Sequence, residues 1–359
     1  MPTVDRWLHA LKDTRGSDLH LAAGVEPRMR VEGALAPVEG EPVLADEALR
    51  TLMREIVDEE QWRSYEAEGD LDFAYALAGV ARFRGNYLVQ EHGAAAVFRI
   101  VPEEILSVKD LGLPESVATL ADLQKGLVLV TGPTGSGKST TLAAIIDAIN
   151  RRHERHIVTI EDPVEFVHEN RKSILSHREV GAHTGSFAAA VRAAIRQDAD
   201  VVLVGEMRDR ETIEIAITAA EMGMLVFGTL HTNSAVRTVD RIIDAFPAPE
   251  QNQVRVSLSE SLAGIVAQQL LVSAEGKGRI AVHEVLLRSQ GLPNVIREGA
   301  THMIAQLIQS GRAQGMQAMD DALFAAAKEG RVRPYDAYLK ATERARFEPL
   351  LQPHERSPA

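Results

Sequence analysis

The sequence contains no cysteine among its 359 residues. This absence excludes disulfide bonds, thiol catalysis and metal sites built from cysteine ligands, and it is typical of proteins in a reducing compartment. Aromatic residues make up only 4% of the chain. They are not interleaved with basic residues in the way that stacks and holds single-stranded nucleic acid.

Positive charge is also scarce. The chain has 39 lysines and arginines against 51 acidic residues, which gives a formal net charge of −12. No general positive field is therefore available to hold nucleic acid or an anionic lipid surface. Charged residues interrupt every apolar stretch before the roughly 18 residues that a membrane span requires. The first residues also lack the apolar segment of a signal peptide, so we expect a cytoplasmic protein.

The chain length predicts two domains, because a typical domain has about 150 residues. We expect a small mixed α/β domain over residues 1–106 and a larger domain over residues 116–345. The segment 107–115 carries glycine and proline between polar residues, as a linker does. We expect residues 346–359 to form a disordered tail.

Alternating patterns indicate strands in the first domain. Residues 18–25, DLHLAAGV, alternate in hydrophobicity, and residues 27–38 predict a hairpin because Gly33 stands between two alternating segments. In the second domain, short apolar runs alternate with helical patterns, which predicts an α/β fold with a mostly parallel sheet. The runs are residues 127–131, 156–160, 201–205 and 224–229.

The end of the second domain has a different hydrophobic pattern. After Pro249 the pattern predicts one long helix that reaches about Leu271. A strand follows at residues 279–287, and short helices continue to about Lys340. The second domain therefore has a helical C-terminal extension.

The strongest chemical signal is a phosphate-binding loop. Residues 132–139, GPTGSGKS, match G-x-x-x-x-G-K-[ST] and lie between a predicted strand and a predicted helix. In that setting the backbone N–H groups of the loop and of the helix start converge on one point. Lys138 can reach the β- and γ-phosphates of ATP, and the Ser139 hydroxyl can ligate Mg²⁺. The predicted nucleotide-binding residues are Pro133, Thr134, Gly135, Ser136, Gly137, Lys138, Ser139 and Thr140.

Two acidic motifs are candidates for the chemistry of ATP hydrolysis, which needs a metal ligand and a group that orients water. Glu206 follows the apolar run 201–205, at the end of a strand that we expect beside the strand of the phosphate loop. It is our candidate to hold Mg²⁺ or its water. Glu165 lies in EDPVEF after another strand, where Pro163 stiffens the turn. Glu165 is our candidate for the base that orients the attacking water. The residues alone fit a solvated turn equally well.

A histidine follows a fourth strand. His231 lies in TLHTNSA, just after the run 224–229, where the strand would deliver it to the same edge of the sheet. A neutral imidazole at that position can contact the γ-phosphate. A single histidine at a strand end is more often structural, so His231 gains weight only from the motifs around it.

The order of the motifs resembles that of a known family. The motifs are GPTGSGKST (132–140), TIEDPVEF (159–166), VVLVGEMRDRET (201–212) and FGTLHTNSA (227–235). In this order they resemble the secretion-type hexameric ATPases of type II secretion systems and type IV pili, and most of all the pilus-retraction branch. The resemblance extends to residues 15–33 and 315–323. It therefore covers nearly the whole chain.

The resemblance implies a PAS-like N-terminal domain joined to a RecA-like ATPase domain, with six copies in a ring. It implies ATP and Mg²⁺ as ligands, Glu165 as the catalytic glutamate, Glu206 as the Walker B glutamate and His231 as the histidine of the His box. It also implies that arginines of the N-terminal domain close over the nucleotide, and the matching positions are Arg84 and Arg99. An arginine that meets developing negative charge speeds phosphoryl transfer by about 10³ to 10⁵.

The function implied is ATP-driven retraction of a type IV pilus. The partners implied are further copies of the chain, an inner-membrane platform protein and a paralogous retraction ATPase. Association with the inner face of the cytoplasmic membrane would then occur through partners only. The lack of cysteine favours retraction, because extension-type relatives generally carry a four-cysteine zinc module.

Three alternatives stay open at the level of sequence. In the C-terminal motif GLPNVIREG (291–299), Pro293 stands where retraction ATPases have arginine, which leaves an accessory retraction ATPase as one alternative. A RecA-like nucleic-acid translocase is the second, although the acidic charge argues against it. The third is a regulatory protein that binds ATP without sustained turnover.

Overall fold

The computed structural model describes residues 2–31, 33–101, 104–276 and 278–352. It divides into two compact units. The first comprises Met1–Glu104 together with Pro163–Val167, and the second comprises Ile105–Asp162 and His168–Ala359. We predicted residues 116–345 as one domain, whereas the segment 163–167 clusters with the first unit. Among the described residues, no helix combines the length and apolar composition needed to cross a bilayer.

The first unit is an antiparallel sheet with helices against it. Its helices are α1 (Asp5–Asp13), α2 (Asp46–Arg54) and α3 (Glu59–Glu68). Its strands are β1 (Asp18–Ala22), β2 (Arg28–Val31), β3 (Ala34–Pro37), β4 (Asp70–Leu77), β5 (Ala81–Gln90) and β6 (Gly93–Val101). The sheet order is β3-β2-β1-β6-β5-β4. The predicted hairpin is confirmed, with Gly33 at φ 87° in the turn between β2 and β3.

One face of this sheet carries the core of the first unit. Side chains alternate along β5, so that Phe83 and Tyr87 are buried while Arg84 between them is exposed. Leu8 of α1 and Met53 of α2 are completely buried in the same hydrophobic cluster. The opposite face therefore remains available for the polar side chains described below.

The second unit contains a mostly parallel sheet with helices on both faces, as the sequence predicts. Its strands are β7 (Gly126–Thr131), β8 (His156–Glu161), β9 (Ile174–Glu179), β10 (Val201–Val204), β11 (Leu225–Leu230), β12 (Leu262–Val272) and β13 (Arg279–Leu287). Its helices include α4 (Glu115–Ala118), α5 (Lys138–Arg152), α6 (Phe187–Ile195), α7 (Arg210–Glu221), α8 (Ala235–Asp244) and α9 (Ala248–Ser261). The C-terminal helices are α10 (Leu292–Arg297), α11 (Ile304–Ser310), α12 (Met319–Lys328) and α13 (Pro334–Lys340).

The strand order corrects one prediction about the site. The sheet runs β13-β12-β7-β11-β10-β8-β9, so β11 lies between the phosphate-loop strand β7 and β10, which leads to Glu206. We expected β10 to lie beside β7. All pairings from β12 to β9 are parallel, and only the β12–β13 pair is antiparallel.

The prediction of one long helix to Leu271 is wrong. Helix α9 ends at Ser261, and the chain continues directly into strand β12, which reaches Val272. The side chains from Leu262 to Gln268 are all buried. A strand that is covered on both faces has no alternation to distinguish it from a buried helix, which explains the error.

The predicted disordered tail also needs correction. Phe347 is completely buried and Leu351 is 4% exposed. The ring of Phe347 packs edge-on against Phe324 of α12, with the ring centroids 5.6 Å apart. Residues 346–352 therefore close a small hydrophobic cluster over the end of the sheet. Residues 353–359 lie outside the described part of the chain.

We predict that Phe347→Ala lowers the free energy of unfolding of the second unit by about 3–5 kcal/mol, because it removes a buried ring and leaves a cavity. Urea denaturation followed by circular dichroism would measure the loss. Leu339→Ala in α13 is the control, because Leu339 is 46% exposed. Equal stability of the two variants would contradict the packed position of Phe347.

Candidate functional site

The phosphate loop adopts the conformation that its glycines allow. Gly132, Gly135 and Gly137 all have positive φ, at 151°, 76° and 86°. A Cβ atom on Gly132 would clash with the carbonyl oxygen of Gln268 and with the Ser136 hydroxyl. The backbone thus occupies a space that no other residue type fits. Helix α5 begins immediately after the loop, and its N-terminus faces the loop.

Lys138 folds back over the loop. Its Nζ donates hydrogen bonds to the carbonyl oxygens of Gly132, at 2.9 Å, and Pro133, at 3.2 Å. The ammonium group is therefore held at the mouth of the loop, where phosphate oxygens can replace these carbonyls. The Ser136 hydroxyl is buried and has no hydrogen-bond partner. A buried donor of this kind fits an anionic ligand, because a buried hydroxyl without a hydrogen bond costs about 1–3 kcal/mol.

Gln268 supports the loop from the neighbouring strand β12. Its Nε2 donates to the carbonyl oxygen of Ser136 at 2.5 Å, and its Oε1 accepts from the Thr141 hydroxyl at 2.7 Å. The Gln268 side chain is 2% exposed. One amide therefore joins the loop to the first turn of α5. Sequence reasoning missed this residue because it assigned the segment to a helix.

The other motif residues follow neighbouring parallel strands. Strand β11 pairs with β7 so that Leu230 lies opposite Thr131, and the next residues are His231 and Gly132. Strand β10 pairs with β11 so that Val204 lies opposite Gly228. The sheet therefore delivers His231 and Glu206 to the edge that carries the phosphate loop, as predicted.

Glu206 and His231 contact each other directly. The Nε2 atom of His231 lies 2.9 Å from Oε1 of Glu206, and Nη2 of Arg208 lies 2.7 Å from its Oε2. Burial raises the pKa of Glu206, but the partners Arg208 and His231 outweigh this and leave the pKa below its ordinary value. Glu206 is therefore an ionised carboxylate at neutral pH, as a metal ligand has to be.

A cavity of about 410 Å³ opens beside this pair. Its lining comes from the end of β11, from α8 and from the loops that follow β10 and β11, and it includes Glu206, Arg208, His231 and Arg241. Two arginines against one carboxylate make the lining suitable for an anion. Ser139, the other predicted metal ligand, lies in the first turn of α5 and is partly buried.

Glu165 lies in the segment that clusters with the first unit. It is half-buried, between the buried residues Val164 and Phe166. The segment begins just after Glu161, the last residue of β8, and β8 pairs with β10. Its role as the base stays a prediction.

Arg84 and Arg99 lie directly opposite each other on β5 and β6. Both side chains are on the face of the sheet away from the core of the first unit. Nε of Arg99 donates to the buried carboxylate of Asp18 at 2.7 Å. Nε of Arg84 lies 3.9 Å from a carboxylate oxygen of Asp72. The structure thus brings the two predicted arginines together as a pair, and their role toward the nucleotide stays a prediction.

Comparisons with known proteins agree over nearly the full length. A family model described as type II/IV secretion system protein matches residues 4–333. The chain is 46% identical to the Pseudomonas aeruginosa protein named type IV pilus retractation ATPase PilT, over 90% of this chain and 94% of that protein. It is 39% identical to the type IV pilus ATPase PilU of the same organism, over 94% of this chain and 88% of that protein.

A solved structure is similar in fold as well. The crystal structure of the pilus retraction motor PilT with bound ADP matches with a TM-score of 0.88 and 42% identity. The match covers 95% of this chain and 98% of the solved one. The α/β fold with an N-terminal domain and an ATPase domain is thereby confirmed.

We predict that Gln268→Leu weakens binding of ATP and ADP by about tenfold or more, because each buried partner left without its hydrogen bond costs about 1–3 kcal/mol. Leucine has a similar volume, so packing is largely kept. Titration with a fluorescent nucleotide analogue measures the dissociation constant. Gln269→Leu is the matched control, since Gln269 is the next residue on β12 and is less buried. Unchanged affinity in the Gln268 variant would show that the loop needs no support from β12.

Proposed function

Because this chain belongs to the type II/IV secretion system protein family, we propose that it is a homohexameric motor that hydrolyses ATP to power retraction of a type IV pilus. The observation that carries the proposal is the meeting of the phosphate loop, Glu206 and His231 at one edge of the parallel sheet. The near full-length similarity to PilT of Pseudomonas aeruginosa supports pilus retraction as the work that is done.

ATP is the substrate. The backbone N–H groups of the loop and Lys138 neutralise its β- and γ-phosphates. The Ser139 hydroxyl and Glu206, directly or through water, would hold Mg²⁺, which would supply positive charge that stabilises the phosphate oxygens. Glu165 accepts a hydrogen bond from the attacking water and takes its proton. The new bond joins that water oxygen to the γ-phosphorus, the bond to the β–γ bridging oxygen breaks, and ADP and phosphate leave.

The remaining residues sense and stabilise the developing charge. His231 contacts Glu206, and in this proposal its imidazole responds to the presence or absence of the γ-phosphate. Arg84 and Arg99 supply positive charge from the first unit when that unit closes over the nucleotide. Closure is then coupled to hydrolysis, which gives a motor its mechanical step.

The assembly proposed is a ring of six copies that acts on an inner-membrane platform protein, at the inner face of the cytoplasmic membrane. An accessory retraction ATPase, working beside a paralogue, is the second candidate. The specific observation in its favour is Pro293, which departs from the C-terminal motif of retraction ATPases. Pro293 lies in the first turn of α10, where a missing N–H costs no hydrogen bond, so the helix itself is preserved.

We predict that Glu165→Gln lowers kcat for ATP hydrolysis by about 10² to 10⁴, because it removes the base while keeping the shape of the side chain. Nucleotide affinity should stay close to that of the wild type. Lys138→Ala should lose both turnover and tight binding. Release of phosphate from the assembled ring in magnesium buffer measures the turnover. Undiminished turnover in Glu165→Gln would refute the base, and strong salt-sensitive stimulation by DNA would favour a translocase.

Deletion of the gene in the organism that encodes this chain should leave excess surface pili and no twitching motility, because assembled pili are no longer withdrawn. Electron microscopy and a motility-zone assay measure the two. Complementation with the wild-type gene should restore both, whereas the Glu165→Gln gene should restore neither. Full motility with an unchanged pilus number would contradict a retraction motor. Motility that is lost only under high load would indicate the accessory role.

A further inference from the structure

A pair of histidines lies where the segment that carries Glu165 rejoins the second unit. The backbone N–H of His168 donates to Nε2 of His177 at 3.1 Å. Nδ1 of His177 lies 2.8 Å from the hydroxyl oxygen of Thr159. Thr159 and His177 lie opposite each other in the parallel pairing of β8 and β9. The three residues therefore form a chain of hydrogen bonds from one strand, through the next, to the end of the loop.

The hydrogen bond from the His168 backbone assigns the tautomer of His177. Nε2 accepts an N–H, so it carries no proton, and a neutral imidazole then has its proton on Nδ1. That proton is donated to the Thr159 hydroxyl. The arrangement lies in the protein interior, because Thr159 is completely buried and His168 is 6% exposed. If the backbone N–H of His168 lost its acceptor in this interior, the buried donor without a hydrogen bond would destabilise the local structure.

The two imidazole rings are also stacked. Their centroids are 5.8 Å apart and their planes differ by 13°. Burial is the main reason that the pKa of His168 falls to about 4, the neighbouring His177 lowers it further, and Asp147 of α5 opposes the change. His168 is therefore neutral at physiological pH, and no repulsion between charges opposes the stack.

The position of this contact relative to Glu165 gives it a function. Only Phe166 and Val167 separate Glu165 from His168. Strand β8 fixes the other end of the segment at Glu161. Only residues 162–167 join these two points, so we expect a shift of His168 to act on the segment that carries Glu165.

We propose that His177 is a positioning residue for Glu165, which it places by accepting the backbone N–H of His168 while donating to Thr159. The inference rests on the proposed function, in which Glu165 orients the attacking water. Because His177 acts through the position of Glu165, we expect its effect to fall on the chemical step. Misplacement of a reacting group by about 1 Å can cost about 10²-fold in rate.

The test uses the full-length assembled protein and measures kcat and KM for ATP hydrolysis. His177→Ala should lower kcat about tenfold or more, with KM and nucleotide affinity within about twofold of the wild type. His177→Gln should recover kcat to within about threefold, because an amide supplies one acceptor and one donor at a similar separation. The loss and its rescue together would identify the hydrogen bonds, and not ring volume, as the cause.

His183→Ala is the matched control. Nδ1 of His183 also accepts a backbone N–H, from Glu179 at 2.9 Å, but this bond ties the loop after β9 to the end of the strand and does not involve the backbone of His168. Its kcat should stay within about twofold of the wild type. An equal loss in this variant would show a general effect of disturbing β9 and would overturn the inference.

Further outcomes separate this inference from the proposed function. Wild-type kcat in His177→Ala, or an equal loss in His177→Ala and His177→Gln with nucleotide binding intact, would overturn the positioning role alone, provided that Glu165→Gln is inactive. Full turnover in Glu165→Gln would instead overturn the assignment of the base. If His177→Ala does not fold, wild-type kcat in His177→Gln together with a large loss in His177→Leu would still support the inference.

Discussion

The parallel pairing of β8, β10, β11 and β7 is the constraint on which the site depends. Parallel strands in register end at the same edge, so residues distant in sequence meet there. The pairing places His231 one strand away from the phosphate loop and Glu206 one strand further on. Close packing preserves this edge, because a side chain on Gly228 of β11 would clash with Met207 next to Glu206. The buried strands hold the geometry, and the loops carry the chemistry.

Strand β12 extends this logic to the other side of β7. It pairs with β7 in parallel, and it places Gln268 beneath the phosphate loop. The loop is thus bounded by β11 on one side and supported by an amide from β12 on the other. Strand β12 is therefore part of the phosphate-loop site.

The sequence predicted most of what is local and little of what is distant. The phosphate loop, the apolar strands and the hairpin at Gly33 follow from patterns within a few residues of one another. The bond from Thr141 to Gln268 joins residues 127 positions apart and could only be found once β12 was recognised as a strand. Because β12 is buried on both faces, its sequence lacks the alternation of apolar and polar residues that would have identified it as a strand.

Two other misses differ in their physical origin. Helix α3 shows no strong apolar stripe, and what marks it is a capping box, in which Asp58 accepts from the backbone of Gln61 while the Gln61 side chain accepts from the backbone of Asp58. That signal was available in the sequence. The packed position of Phe347 was not, because its partner Phe324 comes from a separate helix.

The charges at the proposed catalytic centre already have partners within the protein. Glu206 is paired with Arg208 and His231, and Arg99 is paired with the buried carboxylate of Asp18. In the proposed reaction, a triphosphate would compete with these carboxylates for the same cations. Binding of the nucleotide would then replace one set of ion pairs with another. Part of the binding free energy would be used to break the ion pairs within the protein. A ligand shifts a conformational equilibrium only through such differential contacts, which is what conversion of ATP turnover into movement requires.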